Sequence, residues 1–90
     1  MYSLEIRPKL DKKLSKLVKK NRKQYEIIMN KIGEIVKNPQ HYKNLRKPLQ
    51  HLKRVHIDKS FVLVFSVDEN KKHIIIEDYD HHDEIYRRRH

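Results

Sequence analysis

Apolar and polar residues alternate from the second position, with Tyr2, Leu4 and Ile6 set against Ser3, Glu5 and Arg7. This period of two predicts a strand with one wet face. Pro8 ends it and can open a helix, because the N–H it lacks would have no partner in a first turn. Leu10, Leu14, Leu17 and Val18 then recur at i, i+4, i+7 and i+8 among lysines, the single apolar stripe of an amphipathic helix. Asn21 can close that helix. A second stripe of Tyr25, Ile28, Met29, Ile32, Ile35 and Val36 runs on to Asn38-Pro39, a strong stop. Together the two stripes predict a helical hairpin with its lysines outward.

From Pro39 to about His51 no period holds, and Lys43, Arg46 and Lys47 surround Pro48, so this stretch reads as a loop able to carry function. Beyond it Val55 and Ile57 alternate with Arg54 and His56, which places the last two on one face of a strand. Residues 61–67 (Phe-Val-Leu-Val-Phe-Ser-Val) form a nearly unbroken run of strand formers, as expected of a central strand covered on both faces. Asp68-Glu69-Asn70-Lys71 reads as a polar turn, and His73-Ile74-Ile75-Ile76-Glu77 as the returning strand of a hairpin. The predicted order is β-α-α-β-β-β with a short C-terminal element. The fold class is α+β, a helical hairpin packed on one antiparallel sheet, in a single domain over residues 1–90.

Composition narrows the function classes. Without cysteine the chain has no disulfide and no thiolate site, and it must hold itself together by apolar packing or with a partner. The N-terminal residues lack the apolar stretch of a signal peptide, and no apolar run approaches the roughly 18 residues needed to cross a bilayer, so a cytoplasmic, soluble protein is expected. The one glycine, Gly33, falls inside the second helix, which excludes Gly-rich phosphate cradles and dinucleotide folds. The net charge of +10 is unevenly placed, with residues 1–59 strongly basic and residues 60–90 slightly acidic. Such a field attracts polyanions, because neutralising phosphates releases condensed counterions. The same lysines also fit a surface kept charged for solubility.

Titratable side chains gather at the end of the chain, where Asp78, Asp80, His81, His82, Asp83, Glu84 and Tyr86 follow the last predicted strand. Three readings compete for the two histidines. As metal ligands they lack a spaced set to complete a coordination sphere, so no metal or cofactor is expected. As solvated residues they would flank a final helical turn capped by Asp80 or Asp83. As proton-transfer groups near neutral pH they need help from elsewhere, and Arg54 and His56 would supply it if their strand neighbours the point where the tail emerges. Metal-free RNA cleavage needs a base for the 2′-OH, an acid for the departing 5′-oxygen and cations for the phosphorane, and this set is sufficient in kind. The plain alternative makes His56 a surface residue of a strand and Arg54 a cross-strand partner of a carboxylate.

The stretch Arg54-Val55-His56-Ile57-Asp58-Lys59-Ser60-Phe61 and the apolar run after it resemble the middle strand pair of the YafQ-type toxins in the RelE/ParE superfamily. Pro48-Leu49-Gln50 is similar to the loop before that strand, and His82-Asp83-Glu84-Ile85-Tyr86 to the terminal His-x-x-x-aromatic. The resemblance spans nearly the whole chain. It implies a ribosome-dependent mRNA endonuclease neutralised by a cognate antitoxin in a hetero-oligomer. His56 and His82 would be the proton-transfer pair, Tyr86 would stack on or orient a nucleotide, Arg54 would stabilise phosphate charge and Asp58 would orient His56 or the RNA. Lys47, Lys53, Arg46, His81 and Arg87 are further candidates for RNA contact. Lys47 stands where YafQ-type toxins carry a histidine, which argues against a three-histidine mechanism. Val62, and His82 or Asp80, stand where RelE itself carries arginines, which argues against an arginine-centred one. The main alternative is a ParE-like toxin that binds DNA gyrase and needs no nuclease site. A non-cleaving RNA-binding module would use Tyr42, Tyr79 and Tyr86 as stacking platforms. Membrane-surface binding lacks the aromatic face it would need.

Overall fold

The computed structural model describes residues 1–87. Strand β1 (Ser3–Ile6) leads into helices α1 (Pro8–Lys20) and α2 (Arg22–Lys37), and a 3-10 turn at Pro39–His41 follows. Strands β2 (Lys53–Ile57), β3 (Phe61–Asp68) and β4 (His73–His81) precede the short helix α3 (His82–Arg87). Pro8 opens α1 as expected of a residue with no N–H to leave unpaired. Asn21 separates the helices and caps the second, its side chain accepting the Gln24 N–H at 3.1 Å.

The sheet order is β1-β4-β3-β2. The element order agrees with the sequence reading, but the sheet is mixed, because β1 lies parallel to β4 while β2-β3 and β3-β4 are antiparallel. The two helices between β1 and the rest return the chain to the far side of the sheet, which lets β1 enter beside β4 in the same direction. Strand β4 also runs further than its apolar residues suggest. Asp78, Tyr79, Asp80 and His81 belong to the strand rather than following it, pairing with Val64, Leu63, Val62 and Phe61. A bulge lets Phe65 face Ile76 while Val64 faces Asp78, so Glu77 is the extra residue.

Two cores result, one on each face. On the helical face Leu10, Leu14, Ile28, Ile32 and Ile35 cover Val55, Ile57, Leu63, Phe65, Ile74, Ile76 and Tyr79. Each large aliphatic side chain so buried contributes about 1.5–3 kcal/mol relative to exposure. On the other face Leu45, Leu49 and Leu52 from the loop and Ile85 from α3 cover Val62 and Val64. Residues 62–65 are therefore all buried, as the unbroken apolar run predicted. Tyr42 and Tyr79 are not open stacking platforms. Tyr42 packs edge-on against Phe65, and Tyr79 is buried with its hydroxyl accepting from Gln24 Nε2 at 2.8 Å. Among the described residues no helix is long and apolar enough to cross a membrane.

Candidate active site

The second, smaller core decides which polar groups meet. In β2 the alternation that buries Val55 and Ile57 under the helices turns Arg54 and His56 to the opposite face, over Val64 and Val62. After β4 the chain folds back as α3. Its first backbone N–H, that of His82, donates to the Ser60 carbonyl at 2.8 Å, and Ile85 inserts against Val62 and Val64. His82 and Tyr86 lie three residues before and one residue after Ile85, so anchoring that one side chain sets both beside β2.

The His56 and His82 rings stand nearly parallel, with centroids 6.4 Å apart and planes inclined by 18°. Tyr86 packs on His82 at 4.7 Å. Arg54 Nη1 lies 2.8 Å from His56 Nε2. A guanidinium can only donate, so Nε2 of His56 is the acceptor and carries its lone pair in this arrangement. On the other ring, His82 Nδ1 faces Asp83 Oδ1 at 3.5 Å. His56, His82 and Tyr86 are all exposed. His82 and Tyr86 line, with Arg54, a groove of about 590 Å³ whose other lining residues include Asn44, Arg46, Lys47 and Pro48, whereas His56 is not among its lining residues and adjoins it through Arg54 and His82. The result is one imidazole, a phenol and three cations lining one opening, with the second imidazole nearly parallel to the first.

The remaining candidates fall elsewhere. His81 does not accompany His82, since it meets the edge of Phe61 at 5.7 Å while its Nδ1 accepts the Asp83 N–H at 3.3 Å. It thus caps α3, a task the sequence suggested for Asp80 or Asp83. Asp80 instead accepts the His81 N–H at 2.7 Å and pairs with Lys13. Lys53 does not line the groove, because its ammonium donates to the Tyr42 carbonyl and to Asn44 Oδ1, each at 3.1 Å. Asp58 sits in the β2-β3 turn with φ of 57°, a left-handed conformation that aspartate tolerates better than most residues. Arg87 pairs with Glu84 at 3.1 Å. Sequence reasoning missed Asn44 as a groove residue, and nothing in its neighbours marks it. Among the described residues no three His, Cys, Asp or Glu side chains are placed to hold a metal ion.

A Methanocaldococcus jannaschii protein named "Putative toxin RelE4" is 60% identical to this chain over 89 residues, covering 99% of the chain and 95% of that protein. The chain belongs to the RelE/ParE toxin superfamily. An uncharacterised protein of Methanosarcina mazei is 63% identical over 86 residues, covering 96% of this chain and all of that protein. No family model matches the sequence. Solved structures extend the likeness to the superfamily fold. The Escherichia coli RelBE toxin–antitoxin complex contains a chain that aligns with a TM-score of 0.75 at 18% identity, over 90% of this chain and 96% of that one. YafQ of E. coli BL21(DE3) aligns with a TM-score of 0.73 at 14% identity, over 96% and 99%.

Proposed function

We propose that this chain is the toxin of a type II toxin–antitoxin pair and that it cleaves mRNA on the ribosome, without metal, between His56 and His82. The observation that carries the reading is the pair of near-parallel imidazoles 6.4 Å apart, one held by a guanidinium and the other beside a carboxylate. A phosphodiester entering between them has its 2′-OH on one side and its 5′-oxygen on the other. His56 Nε2 takes the 2′-OH proton as the 2′-oxygen attacks phosphorus. Arg54, released from His56, turns to the phosphorane oxygens. His82 delivers a proton to the 5′-oxygen as the P–O bond breaks, leaving a 2′,3′-cyclic phosphate and a 5′-hydroxyl. Tyr86 stacks on a flanking base and holds the His82 ring. Arg46 and Lys47 neutralise neighbouring phosphates from the far wall. An antitoxin of complementary charge would cover this groove. A neighbouring reading frame whose product neither binds nor silences the chain would remove that part of the reading.

Primer extension on mRNA after induction tests the chemistry. Wild type is expected to give discrete cuts inside reading frames, and His56→Ala or His82→Ala to lower cutting by about 10²–10⁴-fold, the usual worth of a positioned acid or base. Growth arrest with DNA damage and intact mRNA would point to gyrase binding instead. Full cutting by both folded variants would remove the acid–base assignment.

A further inference from the structure

The loop between the 3-10 turn and β2 carries the cationic wall of the groove, and it is closed at its neck by side chains rather than by sheet alone. Asn44 and Lys53 face each other as an isolated antiparallel bridge at its two ends. Leu45 N–H donates to the Leu52 carbonyl at 2.9 Å, and Arg54 N–H to the Lys43 carbonyl at 3.0 Å. Across this neck Lys53 Nζ donates to Asn44 Oδ1 at 3.1 Å, and Asn44 Nδ2 donates to the Gln50 carbonyl at 2.8 Å. Both ends of the Asn44 amide are thus occupied. Asn44 borders the groove with its amide engaged by the loop that carries the wall.

Resting on the nuclease reading above, we propose that Asn44 and Lys53 are positioning residues whose linked hydrogen bonds fix the spacing of the Arg46/Lys47 wall from His82 and Tyr86. A compact loop with closed ends, packed by its own Leu45, Leu49 and Leu52, holds its tip only as firmly as its neck is held. Removing the Lys53 ammonium frees the Tyr42 carbonyl and Asn44 Oδ1 together. Removing the Asn44 amide releases the Gln50 carbonyl, two residues past Pro48. In either case the wall carrying Arg46 and Lys47 can drift relative to α3. Misplacement of binding groups by about 1 Å costs up to roughly a hundredfold in rate or affinity. Lys53 in this account never touches RNA, in contrast to Arg46 and Lys47.

The test compares wild type, Asn44→Ala, Lys53→Met and Lys53→Arg as full-length proteins, with His82→Ala as the chemical control. Amide hydrogen exchange is measured over residues 44–52. Binding to a non-cleavable 2′-deoxy oligonucleotide is measured across a salt series. Asn44→Ala and Lys53→Met are expected to speed exchange across the loop and to weaken oligonucleotide binding about tenfold or more. Lys53→Arg, which can still donate to both acceptors, is expected to restore both. The salt slope of Lys53→Met should match that of Asn44→Ala, because both loosen the same wall and the lost cation itself neutralises no phosphate, whereas a direct contact would make the slope shallower by roughly a further 0.7. Unchanged exchange in both variants overturns the brace, and so does a slope in Lys53→Met shallower than in Asn44→Ala. If wild type neither binds nor cuts RNA, the nuclease reading fails by itself, and the exchange data still decide whether Asn44 and Lys53 hold the wall.

Discussion

The side chains at the groove owe their geometry to single residues whose own environment is apolar, and the opposite face of the sheet shows the same dependence in a simpler pair. Gln24 is the one buried polar residue among those described, and its amide ends on the Tyr79 hydroxyl at 2.8 Å. Tyr79→Phe would leave that N–H without an acceptor in the core, at a cost of about 1–3 kcal/mol. Adding Gln24→Leu removes the unpaired donor and should recover much of the loss, which urea unfolding of the two variants would show. A double variant no more stable than Tyr79→Phe would mean that shape, not the unpaired amide, sets the cost. Burial pushes the Tyr79 phenol above the usual tyrosine range, with Gln24 opposing it. The phenol of the unfolded chain therefore ionises first. Its contribution to stability is complete below about pH 10 and declines as pH rises toward the folded value. Tyr79→Phe should flatten that alkaline decline.

Elements are where sequence reading succeeded most and where its omissions are most instructive. Both helices and their boundaries were legible, because a 3.6 period ended by Asn21 and by Asn38-Pro39 is a local signal. The direction of β1 was not, since period two says which face is wet and nothing about the partner strand. Residues 39–51 looked structureless because the burial of Leu45, Leu49 and Leu52 depends on Val62, Val64 and Ile85, which lie far along the chain. Arg54 and His56 could be placed on one face by alternation, but their meeting with His82 required α3 to turn back, and a six-residue helix leaves little periodicity to read. The roles of Lys53 and Asn44 left no local trace at all. If α3 is aimed by its one buried anchor, Ile85→Ala should cost about 2–5 kcal/mol and disorder His82 and Tyr86 together. Ile85→Val should cost about 0.5–1.5 kcal/mol and keep the site. Chemical-shift mapping of α3 and mRNA cutting in both variants check this. An Ile85→Ala protein that is folded and cuts like wild type would show that α3 is placed by something else.

At the scale of the whole molecule, the charge of +10 is divided by the sheet between two surfaces that cannot serve the same short RNA. Arg46, Lys47 and Arg54 border the groove, whereas Lys12 and Lys16 are exposed on α1, which packs on the other face with Leu10 and Leu14 inward. Net charge alone raises encounter rates with any polyanion, but the salt slope counts only phosphates that are neutralised. An oligonucleotide just long enough to fill the groove meets three cations, so log affinity should fall with log salt with a slope of about −2 for single strands. Arg46→Gln and Lys47→Gln should each make that slope shallower by roughly 0.7, while Lys12→Gln and Lys16→Gln leave it unchanged. A slope that follows Lys12 and ignores Arg46 would place the bound strand on the helical face. His82 would then line a groove that RNA does not enter, and the cleavage reading would lose its geometric basis.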